Sequence, residues 1–156
     1  MSVEQTKDLL EFLSPFEQEK QDLVLWLREF VWKQYPDCNE LIYDNYNALA
    51  FGWSLTEKLG STFCNIALGR SSKNIHFGFF HGKDLKDPEK KLIGRGNQYR
   101  YMLVTSKKEF PKKYAQQLLG EAYANALAKL KDPKQIRSGL TIVRSISEKR
   151  RETKSK

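Results

Sequence analysis

Histidine and cysteine are scarce in this chain, two of each in 156 residues, and that scarcity removes most of the common reaction chemistries. A zinc site needs about four closely placed Cys, His or carboxylate ligands. Cys38 and Cys64 fall in different segments from each other and from His76 and His81, so zinc is not expected. Nucleophilic catalysis needs a nucleophile, a base and an orienting group. Cys38 with His81 is the pair to weigh, and neither lies in a recognised signature; no carboxylate pair stands out for acid–base work, so an enzyme is not expected. Long apolar runs are missing too: none approaches the roughly 18–20 residues of a membrane span. The start, MSVEQTKDLLEF, carries early acids and lacks the basic-then-apolar pattern of a secretion signal. With only two cysteines, the expectation is a cytoplasmic protein.

What is present is charge, unevenly placed. The net charge is +8, but residues 1–60 carry −6 and residues 61–156 carry +14. Such polarity suits an anionic partner for the second half, head-to-tail self-association, or simply a solvated surface. An apolar content of 40 % and an aromatic content of 12 % are those of a globular domain.

The apolar spacing divides the chain into helix, sheet and helix. Leu9, Leu10, Phe12 and Leu13 cluster on one side of a short helix over 3–13. Ser14-Pro15-Phe16-Glu17 reads as a capping box opening a second helix to about residue 34, whose stripe is Leu23, Leu27, Phe30 and Val31. From residue 41 to 104 the period is two. Leu49, Phe51, Trp53 and Leu55 mark one strand, Cys64, Ile66 and Leu68 the next, and Ile75, Phe77 and Phe79 a third. A shorter strand over 41–45 precedes these, and 99–105 closes the set; their short connections predict an antiparallel meander. Helical spacing returns over 111–130. The segment 140–146 is apolar enough to dock as a strand or a short helix, and 148–156 is basic with no large apolar residue, which predicts disorder. The expected architecture is α+β: about five antiparallel strands with N- and C-terminal helices on one face, a single domain over 1–132, and a 133–156 extension. The other face would be semi-polar, with Asn65 and His76 on it and Arg100 as an open alternative, available to a ligand, a partner or a homodimer contact.

Two patterns point toward anions. Gly94-Arg95-Gly96 is no dinucleotide fingerprint, because no strand leads into it and no helix follows. Its glycines can let backbone N–H groups approach an anion, with Arg95 and Arg100 supplying charge and His81 nearby. The plainer reading is a loop whose glycines adopt positive φ, with Arg100 paired to Asp87 or Glu89. The second pattern is the lysine- and arginine-rich C-terminal half, which with exposed Tyr99 or Tyr101 suits nonspecific nucleic-acid binding.

Taken in order, several pieces resemble the YdhG-like family of small domains over residues 10–130. They are Tyr35-Pro36-Asp37-Cys38-Asn39-Glu40-Leu41-Ile42 after a long helix, and Asn74-Ile75-His76-Phe77-Gly78-Phe79 with His81-Gly82. Leu85-Lys86-Asp87-Pro88, Leu92-Ile93-Gly94-Arg95-Gly96 and Arg100 in the last strand complete the set. The lysine usual after the second glycine is Asn97 here. The resemblance implies a fold similar to that of frataxin, with terminal helices on an antiparallel sheet. Some members are labelled frataxin-like iron proteins, which implies iron held by carboxylates of the first helix. Glu4, Asp8 and Glu11, at i, i+4 and i+7, are the residues that would supply them. The expectation carried forward is a binding module whose partner is a small anion or a protein, contacted by His81, Gly94, Arg95, Gly96 and Arg100.

Overall fold

The structure, a computed structural model, describes residues 3–130 and 139–147, with side chains from Asp8 onward. Helix α1 spans Val3–Leu13 and helix α2 spans Gln18–Gln34. Between them the expected capping box does not form. Ser14 Oγ instead donates to the Glu11 carbonyl at 2.7 Å, closing α1, and α2 starts after Glu17 with no side-chain cap. The reason lies in Phe16. Its N–H donates to the Leu13 carbonyl and its ring is buried, so the turn is shaped by burial rather than by a hydroxyl cap.

Strands β1 (Asn39–Asp44), β2 (Ala48–Ser54), β3 (Thr62–Gly69), β4 (Ile75–Phe79) and β5 (Arg100–Val104) follow. Helix α3, Lys112–Lys129, and strand β6, Thr141–Ile146, complete the order. The sheet runs β5-β4-β3-β2-β1-β6. Its first five strands are the predicted antiparallel meander. Of the two alternatives for 140–146 the strand forms: it is an edge strand parallel to β1, so the sheet has six strands and reaches into the stretch read as an extension. The basic end at 148–156 and the 131–138 segment lie outside the described residues. No helix among the described residues is long and apolar enough to cross a membrane.

Residues paired across the ladders share a face. One face carries Ile42, Phe51, Ile66, Phe77 and Met102 in a single row, with Trp53, Cys64 and Phe79 beside it. These join Leu9 and Leu13 of α1, Leu27 and Val31 of α2, and Leu118 and Leu119 of α3 in one buried cluster. A register shift after Trp53 turns Phe63 to the same side, where its ring meets Tyr35 and Tyr123. Two carboxylates of β1 also point into this core. Glu40 accepts two hydrogen bonds from the Arg28 guanidinium, at 2.6 and 2.7 Å, and a third from Thr141 Oγ1 at 2.9 Å. Asp44 pairs with buried Arg70, whose guanidinium also lies 5.2 Å from the centre of the Phe16 ring. Each buried charge thus has its partner, as burial demands.

Candidate anion-binding loop and open sheet face

The connection from β4 to β5 is long yet tied down at every turn. After a single 3₁₀ turn at Gly82–Asp84, Lys83 N–H bonds the Gln98 carbonyl at 2.9 Å, and Lys86 N–H reaches the Glu121 carboxylate of α3. Asp87 sits at positive φ and organises the next turn. Its carboxylate accepts from the Lys91 and Leu92 N–H groups, both at 3.0 Å, and from the Tyr114 hydroxyl. Burial disfavours the charge on Asp87, but the Tyr114 and backbone donors outweigh it and hold the carboxyl below its usual range. Ile93 then pairs with Tyr101 through both backbone bonds, 2.8 and 3.0 Å, as a one-residue bridge on the outer edge of β5.

Arg100 is the brace of this loop. Its Nη1 donates to the Gly96 carbonyl at 2.8 Å and to the Tyr99 carbonyl at 2.7 Å. Two glycines make room for it. A Cβ on Gly82 would lie 2.5 Å from Arg100 Cβ, and one on Gly94 would lie 3.1 Å from Arg100 Cδ. Gly94 also sits at φ +141°, where a side chain is strained. The pairing of Arg100 with Asp87 or Glu89 is therefore not what forms: Asp87 is taken by the backbone and Tyr114. Gly96 needs neither positive φ nor close approach, since nothing lies within 4 Å of a Cβ placed there. It contributes a carbonyl to Arg100. What faces solvent is Arg95, exposed and without an ion-pair partner among the described residues. Beside it the N–H groups of Gly94, Arg95 and Gly96 make no hydrogen bond among those residues.

The five predicted contact residues thus separate. Gly94, Gly96 and Arg100 come together, with Arg95 projecting from the same turn. His81 does not join them. Its side chain is half-buried and lines a crevice of about 10 Å³ against Phe63 and the Ala122, Asn125 and Lys129 turns of α3, too small for a ligand. Of the carboxylates proposed for iron, Asp8 and Glu11 are exposed on α1, and the Glu4 side chain lies outside the described residues. Among the described residues no group of three or more His, Cys, Asp or Glu is placed to hold a metal ion. Both cysteines are buried and free; burial pushes the Cys38 thiol up to about 12, with Asp37 adding to the effect.

The second sheet face is built largely from small residues and aromatics. Its rows read Tyr43-Ala50-Ala67-His76-Leu103 and Leu41-Gly52-Asn65-Gly78-Tyr101 across β1 to β5. Asn65, Ala67, His76, Tyr99 and Tyr101 are half-buried, and Leu103 is exposed. The His76 and Tyr101 rings stack at 4.0 Å and 5°, and Tyr101 faces Tyr99 at 5.9 Å and 24°. Tyr99 lies across Gly78 and donates its hydroxyl to Asn65 Oδ1 at 3.1 Å. Burial pushes its phenol up to about 12. Burial also lowers the pKa of His76, so its imidazole stays neutral to lower pH. The sequence places Asn65 and His76 here; the bond from Tyr99 across Gly78 is not written in it. The period-two pattern put Gly78 and Tyr101 on this face, but nothing in it reveals that a hydroxyl occupies a missing side chain.

A roomier cleft, about 390 Å³, lies elsewhere, between Glu19 and Asp22 of α2 and Lys107 and Lys108 after β5. These four side chains are exposed and form no ion pair with one another, so the cleft is a solvated groove rather than a convergent site. No family model matches the chain, and neither a curated protein nor a solved structure is significantly similar to it.

Proposed function

We propose that the chain is a non-catalytic binding domain that takes an anionic ligand on the Gly94-Arg95-Gly96 turn. The observation that carries this reading is the division of labour between two arginines. Arg100 is committed to carbonyl oxygens inside the loop, and Arg95 is held outward beside unpartnered N–H groups. Backbone donors and a guanidinium in one turn are the recurring means of gripping phosphate or carboxylate oxygens. The bracing matters because a loop ordered in advance loses less freedom on binding. Arg95 is the contact residue in this reading and Arg100 the positioning residue. Terminal helices on a mainly antiparallel sheet also support assigning the chain to the YdhG-like, frataxin-like domains.

Titration with inorganic pyrophosphate, followed by amide NMR shifts, tests the reading. The Gly94, Arg95 and Gly96 amides are expected to move together on binding. Arg95→Ala should weaken the affinity about tenfold, the value of one charge-assisted hydrogen bond. Arg100→Ala should weaken it while also speeding hydrogen exchange along 94–98, and Gly96→Ala should change nothing. Affinity untouched in an Arg95→Ala, Arg100→Ala double variant sinks the anion site.

A further inference from the structure

We propose that the open half of the sheet, around His76 and Tyr101, is a stacking surface for unpaired bases. The anion gripped by Arg95 is then the phosphodiester backbone of a single-stranded nucleic acid. This rests on the anion-binding reading of the 94–96 turn and extends it to a class of ligand.

Three observations carry it. The first is adjacency. Ile93 is hydrogen-bonded directly opposite Tyr101, so the turn that begins at Gly94 leaves from the flank of the aromatic ladder. A strand of nucleic acid that lays a base on this face brings its phosphates to that turn. The second is the chemistry of the face. No strand residue on it carries a carboxylate: the two acids of β1, Glu40 and Asp44, point into the core and are paired there. Across β3 to β5 the face carries aromatic rings, aliphatic groups and the Asn65 amide, and in sequence residues 61–156 carry a net charge of +14. A face with π-surfaces and no strand carboxylate, in a chain whose second half is basic in sequence, suits a polyanion with flat bases.

The third is preorganisation. Tyr101 is clamped between the His76 and Tyr99 rings, and Tyr99 is itself fixed to Asn65 across Gly78. One face of the imidazole is taken by Tyr101. Its cross-strand neighbours on the other side are Ala67 and then Ala50, half-buried methyl groups that leave a low floor. A base entering there extends an existing stack instead of building one. Leu103, directly opposite His76 on β5 and 47 % exposed, adds an apolar side chain on the other side of the imidazole from Ala67.

Fluorescence anisotropy of the full chain with a short labelled oligothymidylate tests the proposal, with unlabelled heparin and phosphatidylserine vesicles as polyanions that lack bases. The oligonucleotide is expected to bind more tightly than heparin of matched charge, with affinity falling as salt rises. Tyr101→Leu and His76→Ala should each weaken oligonucleotide binding about tenfold, the effect of one lost stacking partner. Heparin binding should be unaffected in both. Tyr101→Phe keeps the ring and should restore wild-type affinity, which separates stacking from damage to the fold. Arg95→Ala should weaken both ligands. Oligonucleotide and heparin bound alike, with no response to Tyr101→Leu, overturn the stacking surface while leaving the Arg95 site standing. Preference for the vesicles overturns it in favour of a lipid headgroup. A chain that binds none of the three, nor pyrophosphate, loses both readings.

Discussion

Gly78 has no side chain because Tyr99 occupies the place one would take. A Cβ there would lie 2.1 Å from the Tyr99 hydroxyl and 2.4 Å from Asn65 Oδ1, both well inside contact distance. Gly78→Ala is therefore expected to expel the phenol, break its bond to Asn65 and cost about 1–3 kcal/mol, the usual range for overpacking. Spectrophotometric titration gives a second signature: the tyrosine now pushed up to about 12 should move back toward 10. The Arg28–Glu40 pair makes the complementary case. Glu40 is fully buried, so Arg28→Met strands a carboxylate in the core and should cost about 3–5 kcal/mol. Converting Glu40→Met in the same chain should recover most of that, because two methionines carry no charge to desolvate. Urea denaturation of the two single variants and the double variant measures both numbers. An additive double variant would mean that the pair is not coupled in the way its geometry indicates.

At the scale of elements, the ladder of rings on β4 and β5 couples stability to pH through His76. Its neighbours on this face, Tyr101, Ala67 and Leu103, bring no charge to favour an imidazolium, and burial lowers its pKa below the ordinary 6.5. Above 6.5 both the folded and unfolded chains leave this histidine neutral, and it has no effect. Below 6.5 the unfolded chain binds a proton that the folded chain resists, so stability falls with pH until the folded imidazole also titrates. The urea midpoint is expected to drop between pH 7 and pH 5.5, and His76→Phe should flatten that part of the profile. A drop of equal size in His76→Phe would assign it to other groups.

Across the whole molecule, how much was legible depended on how local the causes are. Alternation placed β2, β3 and β4 because each strand's buried face is written in its own residues, as in Leu49, Phe51 and Trp53. The helical stripes of α2 and α3 were readable for the same reason. Ser14 misled because a serine hydroxyl can cap a following helix or donate to the carbonyl of a preceding one, and here it bonds the Glu11 carbonyl while Phe16 buries its ring. In β1, Glu40 and Asp44 share the phase of Ile42, which is the mark of a core position; reading it required knowing that Arg28 and Arg70 would arrive as partners. Of the two loop glycines, Gly94 sits at positive φ against Arg100, whereas nothing crowds Gly96. Which arginine they served was not legible, because that turns on Arg100 running beneath Gly82 and Gly94 in three dimensions. Strand β6 left the weakest trace, since its partner β1 lies about a hundred residues earlier and a parallel pairing has no turn to announce it.

That distance has a kinetic meaning. Thr141 hydrogen-bonds Glu40 across 101 residues of chain, whereas Arg28 reaches the same carboxylate across 12. Closing the longer loop costs more entropy and returns nothing until it is complete, so the meander and its helices are positioned to assemble first. During that interval β1 is the rim of an unfinished sheet, with its outer amides and carbonyls unpaired and the sequence NELIYD ready to template a neighbour. The last strand to arrive works as a latch. Until it closes, the danger to this chain is association with other unfinished copies rather than unfolding, and the latch sets how long that danger lasts.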